Sequence, residues 1–261
     1  MENELIVVRE LKAVIKCSPH VNLKISEDFE KEIGLHRIDD EHLSFTVKLG
    51  PEKLDIKDFN NIHNEIQKNI PAEVLDRVYT VISALSLAFE FGFVLEDLYV
   101  SGFEVLDESG SQKIGGAYNA VKIKFQIPVD TEERHKKEFK KYVDLLSGIG
   151  EEYRENILRA MKWWSRGSVE TDKLDKFINY YVALEILAGI VFSSESPTQK
   201  VKKFCRKYNL RCEYNSTHIT EIRGALFHSG RKDELAEVIA DEFGREVLKA
   251  IKSLIKELSS I

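Results

Sequence analysis

The stretch from residue 178 to residue 192 constrains the fold more than any other. It is about 15 residues long and apolar except for Asn179 and one charge, Glu185. A helix that is apolar nearly all round must be covered on every side. The segment 173–192 is therefore expected to be the central helix of a bundle. Asp172 is its predicted N-cap, and Asp175 falls in the first turn, where the helix dipole favours an acid. With a carboxylate inside it, the run is too short and too polar to span a membrane.

The neighbouring segments supply the covering helices. Tyr153, Ile157, Ala160, Met161 and Trp164 form the stripe of a helix that stops at Arg166-Gly167. Ser196-Pro197 starts another, through about Asn209. Ser216 or Thr217 caps a fourth, with Ile219, Ile222, Leu226 and Phe227 as apolar contacts and Gly230 as its stop. A fifth runs over 233–258 with Leu235, Val238, Ile239, Val247, Ile251, Leu254 and Leu258 inward. Five helices with short connections predict a compact bundle over 150–261.

The preceding part has another texture. Residues 5–8, 13–17, 43–49 and 95–106 are strand-like, and 120–129 alternates as a half-exposed strand. Gly50-Pro51 is a break, helices are expected over 54–70 and from Pro71 through Phe89, and 107–116 is a loop. Residues 130–150 form a linker or short helix, with the boundary at 147–150. The fold class is α+β: a mixed domain over 1–145, of unassigned role, followed by the helical domain.

An apolar content of 43% supports real cores. The opening residues lack a basic-then-apolar leader. Cys17, Cys205 and Cys212 are an odd number at unpatterned spacings, which predicts thiols in a reducing compartment and a cytoplasmic protein. Cys17 is read as a buried thiol. Cys205, Cys212 and His218 match no structural zinc spacing and lack a fourth ligand, so no metal and no cofactor are expected. Net charge is −6. Residues 1–150 hold 19 basic and 27 acidic side chains, a balance of −8, whereas 151–261 hold 19 and 17, a balance of +2. If either half meets a polyanion, it is the second.

The chemistry concentrates there. Arg223 and His228 lie in an otherwise apolar helical run. Glu185 sits on the apolar central helix and needs a donor to offset desolvation. Arg223 is the expected one, with guanidinium donors left over for a phosphate. Lys200, Lys202, Lys203, Arg206, Lys207 and Arg211 follow one another with no acid between Glu195 and Glu213. Such a cluster suits a phosphate backbone read without sequence preference. Phe204, Tyr208 and Tyr214 are interleaved and could stack on bases. A structural Arg, a helix-terminal His and a solvated basic face remain the plain alternatives.

Arg223-Gly-Ala-Leu-Phe-His228 resembles the Arg-x(4–6)-His motif of the HEPN superfamily of helical bundles. The segments Ala160-Met-Lys-Trp-Trp-Ser-Arg-Gly and Asp175-Lys-Phe-Ile-Asn-Tyr-Tyr-Val-Ala-Leu-Glu185 are similar to its Apea-type branch. The likeness covers roughly 150–261. It implies metal-independent RNA cleavage, in a defence or stress system, in which His228 is general acid or base and Arg223 stabilises the phosphorane-like transition state. It also implies a homodimer of two bundles with both motifs facing one RNA cleft. Gly224 departs from the family, where a polar residue often follows the motif Arg. Other members bind RNA or nucleotides without cutting, so a binding or scaffold role stands beside the nuclease.

Overall fold

The structure is a computed structural model describing residues 4–17, 34–38, 42–55, 70–106, 112–117, 133–229 and 234–260. The expected strand over 120–129 lies outside these residues, as does the helix over 54–70 except at its ends. The chain is mixed α/β. It forms two compact units: Met1–Tyr79 with Leu95–Thr131, and Thr80–Val94 with Glu132–Ile261.

The first unit is built on a five-stranded sheet. Its strands are β1 (Glu4–Cys17), β2 (His36–Arg37), β3 (His42–Asp55), β4 (Phe93–Leu106) and β5 (Gln112–Ala117), in the order β2-β3-β1-β4-β5. β1 is one long strand where the sequence suggests two. Val7, Arg9, Leu11, Ala13, Ile15 and Cys17 are all buried, and the residues between them are half-buried. That is the two-residue period of a sheet with one covered face. β3 pairs antiparallel with both β1 and β2, and β4 with β5.

Gly50-Pro51 does not end β3. Val7 pairs with Glu52 and Arg9 with Leu49, so Gly50 and Pro51 together oppose Val8. This is a β-bulge, where the missing proline N–H breaks no ladder bond. The expected loop over 107–116 also contains the start of β5.

Seven helices occur among the described residues: α1 (Ala72–Phe89), α2 (Glu133–Gly148), α3 (Glu151–Val169), α4 (Lys173–Val191), α5 (Pro197–Lys207), α6 (Ile219–Ser229) and α7 (Glu234–Leu258). α1 begins directly after Pro71. The segment read as a linker or short helix is α2, whose Phe139, Tyr142 and Leu146 are buried.

In the second unit α4 packs on α3, α5 and α7, as an all-round apolar helix must. Asp172 caps it: the side chain accepts the N–H groups of Leu174 (2.9 Å) and Asp175 (3.0 Å). α3 runs past Gly167 to Val169. Gly167 is there for close approach, since a Cβ on it would lie 2.7 Å from the ring of Tyr180. Gly244 on α7 meets the other side of that ring, and the Trp164 indole N–H donates to the Gly244 carbonyl at 2.9 Å. Three helices therefore meet around one tyrosine.

Some expected inward positions point out. Val238 is 80% exposed and Tyr153 is also exposed, while Ile239, Val247, Ile251 and Leu254 are buried as the period predicts. The buried face of α7 follows Ala236, Ala240, Phe243 and Val247, which leaves Val238 off the stripe. No helix among the described residues is long and apolar enough to cross a membrane.

Candidate functional site

α6 carries both motif residues, and its placement begins at a cysteine pair. Cys205 in α5 and Cys212 form a disulfide, with Cα atoms 6.3 Å apart. The sequence predicts thiols there. The chain reverses after α5, with Asn209 at φ 48°, which returns Cys212 to the helix it left. Both cysteines are buried, and neither remains a thiol for a metal. Cys17 is buried and outside any disulfide. Among the described residues no cluster of three or more His, Cys, Asp or Glu is placed to hold a metal ion.

From Cys212 the chain enters a small hairpin, β6 (Glu213–Tyr214) and β7 (Thr217–His218), paired antiparallel. Asn215 and Ser216 both have positive φ, 48° and 61°. Two left-handed residues suit a two-residue hairpin turn. The Cys212 carbonyl then accepts the N–H of Ile219, the first residue of α6, at 3.0 Å.

The cap of α6 is His218, not Ser216 or Thr217, which the hairpin uses. Its Nδ1 accepts the Thr220 N–H at 3.2 Å and lies 2.9 Å from Thr220 Oγ1. Half-burial lowers the His218 pKa, and the Lys202 charge lowers it further. Glu221 and Glu213 oppose this, and Arg206 adds to it. His218 is therefore held as a neutral acceptor, a role the sequence did not suggest.

Arg223 is half-buried on α6. Its guanidinium carbon lies 4.7 Å from the centroid of the Phe227 ring and 5.8 Å from that of Tyr181. The expected ion pair with Glu185 does not form. Glu185, one turn beyond Tyr181 on α4, is half-buried and keeps some solvent, so its charge needs no cation against it. Both groups bear on Tyr181 instead. Burial pushes that phenol up to about 12, Glu185 raises it and Arg223 lowers it. Tyr181 is thus a neutral phenol at physiological pH. A cation held by aromatic faces keeps its charge, and its N–H donors remain available to an anion.

His228 is five positions after Arg223 in the same continuous helix. Its side chain and Gly230 lie outside the described residues. Gly224 is open, since a Cβ there would meet nothing within 4 Å.

Most of the basic cluster is paired. Lys202 meets Glu221 at 3.8 Å and Lys207 meets Glu257 at 2.6 Å, while Lys203 pairs with Glu195 and Arg211 with Glu242. Lys200 and Arg206 make no ion pair among the described residues, and Arg206 is exposed. Two of the three interleaved aromatics are not available to bases: Phe204 is 0% exposed and Tyr214 is 3% exposed. Both line the side of the α5–hairpin segment that faces the core, where the period of α5 puts Val201, Phe204 and Cys205. Tyr208 is half-exposed, with its hydroxyl donating to Glu257 at 2.9 Å.

Comparison with known proteins adds no neighbour. No protein-family model, no curated protein and no solved structure matches the chain. The functional reading therefore rests on the residues themselves.

Proposed function

We propose that the chain acts on RNA through α6, as a HEPN-type, metal-independent endoribonuclease that works as a homodimer in the cytoplasm. One observation carries this reading. Arg223 has no carboxylate partner among the described residues and is held against Tyr181 and Phe227, on the helix that also bears His228. Its donors are then left available to a ligand.

In this reading the 2′-hydroxyl of a ribose attacks the adjacent phosphorus as the P–O5′ bond breaks, and the proton lost by the 2′-oxygen is balanced by the one the departing 5′-oxygen gains. His228 serves this transfer as general base or acid and Arg223 balances the charge growing on the phosphoryl oxygens. Glu185 acts through Tyr181 on the setting of Arg223. Lys200 and Arg206, with the paired Lys202, Lys203, Lys207 and Arg211, hold the strand. A defence or stress role accompanies the family likeness. A cytoplasmic site also requires the Cys205–Cys212 bond to persist among reductants, which its burial favours.

Incubation with single-stranded RNA in EDTA tests the reading. Products ending in a 2′,3′-cyclic phosphate, lost in Arg223→Ala and His228→Ala, are expected. Equal cleavage by His228→Ala overturns it.

Two observations favour a second reading, in which the site binds RNA or nucleotide, or serves a scaffold, without cutting. Gly224 supplies no donor beside Arg223, and four of the six basic residues are already neutralised by carboxylates. Binding without cleavage in the same assay selects it.

A further inference from the structure

Arg223 and His228 are separated by about 140° around α6, and of the residues between them in sequence Phe227 and Gly224 fall in that arc. Phe227 projects about 40° from Arg223 and Gly224 about 100°. The sequence places Phe227 among the apolar contacts of the helix. In the structure it is 55% exposed, although Ile219 and Ile222 on the same helix are buried. Its ring carries the Arg223 guanidinium 4.7 Å from its centroid. Beside it, Gly224 leaves open space where a side chain would begin.

We propose that Phe227 is the nucleobase-stacking platform of this site, with an unpaired base on its ring and the adjoining phosphate held by Arg223. The proposal rests on the RNA-acting reading above and adds the residue that selects unpaired nucleotides. Every base offers a π-face to an aromatic ring, so the platform accepts any unpaired base. A base locked in a duplex has no free face, so single strands are preferred. The guanidinium already against the ring puts a cation within one residue's reach of the stacked base. The bare backbone at Gly224 gives the ribose a path from Phe227 toward position 228. Charge complementarity chooses this occupant: an apolar partner would have to cover Arg223 without neutralising it.

The test compares two fluorescent oligomers of equal length, a single-stranded RNA and an abasic ribose-phosphate strand, binding to the full chain at low salt. The full chain is expected to bind the RNA about ten-fold more tightly than the abasic strand. Phe227→Ala brings RNA binding down to the level of abasic binding and so removes that preference, whereas Phe227→Trp retains it. If Phe227→Ala keeps the preference, the platform is wrong while the RNA reading stands. If the full chain binds neither strand, both fall. If Phe227→Ala weakens both strands equally and turns a dimer into a monomer by light scattering, a second copy of the chain covers the ring and the proposal is overturned.

Discussion

A Cβ on Gly167 would lie 2.7 Å from Cε1 of Tyr180. Gly244 approaches the opposite side of the same ring. The two glycines are the walls of a slot that holds α3, α4 and α7 together. Gly167→Ala and Gly244→Ala are each expected to destabilise the helical unit by about 1–3 kcal/mol through overpacking. Gly224→Ala, open on every side, is expected to stabilise it by up to about 1 kcal/mol through helix propensity. Urea denaturation followed by helical circular dichroism measures all three. Equal effects at 167 and 224 would contradict the slot.

The Cys205–Cys212 bond closes a short loop, with a sequence separation of 7. Loop-closure entropy gives such a link about 2–3 kcal/mol. The Cys205→Ser/Cys212→Ser double variant should lose about that much, and reductant should leave its unfolding midpoint unchanged while lowering that of the unaltered chain. Mass measurement after thiol alkylation reads the bond directly, with one modified cysteine expected in the unfolded, unreduced chain.

His218 gives α6 an acid-sensitive start. Its folded pKa is below the ordinary value of 6.5, so the folded state favours the neutral ring. The stability this contributes is present above pH 6.5 and is lost as pH falls through the lower folded value. Protonation also removes the acceptor for the Thr220 N–H. Amide exchange at residues 219–222 should quicken as pH drops below 6.5, after correction for intrinsic rates. His218→Asn, which keeps a capping acceptor but cannot titrate, should flatten that dependence.

If the proposed RNA-acting reading holds, pairing separates the basic residues in their expected effect on RNA. Arg206 is exposed and has no ion pair among the described residues, while Lys203 is already joined to Glu195. Arg206→Ala should reduce the slope of log K against log salt by about 0.7, the value for one single-strand phosphate contact. Lys203→Ala should change it much less, because removing Lys203 also unmasks Glu195. Anisotropy titrations over a range of salt concentrations distinguish the two.

Much of the helical part was legible because its determinants are local or periodic. The Asp172 cap, the start of α5 at Pro197 and the buried line of α7 from Ile239 to Leu254 follow from spacing alone. The misses involve partners distant in sequence. Gly167 looks like a stop until the Tyr180 ring is placed over it. Cys205 and Cys212 look unpatterned until the turn after α5 brings them together. The aromatic setting of Arg223 was half legible: Phe227 is at i+4, where helical side chains meet, but Tyr181 arrives from another helix. For Phe227, composition argued for burial, and only the orientation of α6 shows it exposed.

That orientation has a mechanical side. α6 is secured at its first turns, where Ile219 and Ile222 are buried, Cys212 holds the leading N–H and His218 caps the second. Further along, Ala225 and Phe227 face solvent. The helix is a lever with its fulcrum at the disulfide-bonded hairpin. From Ile219 to position 228 the lever arm is about 13 Å, at 1.5 Å per residue. A tilt of about 10° at the fulcrum would swing the backbone at 228 by roughly 2 Å, enough to make or lose a hydrogen bond. Small changes around Cys212 or His218 are thus magnified along the helix toward Arg223 and the backbone at 228.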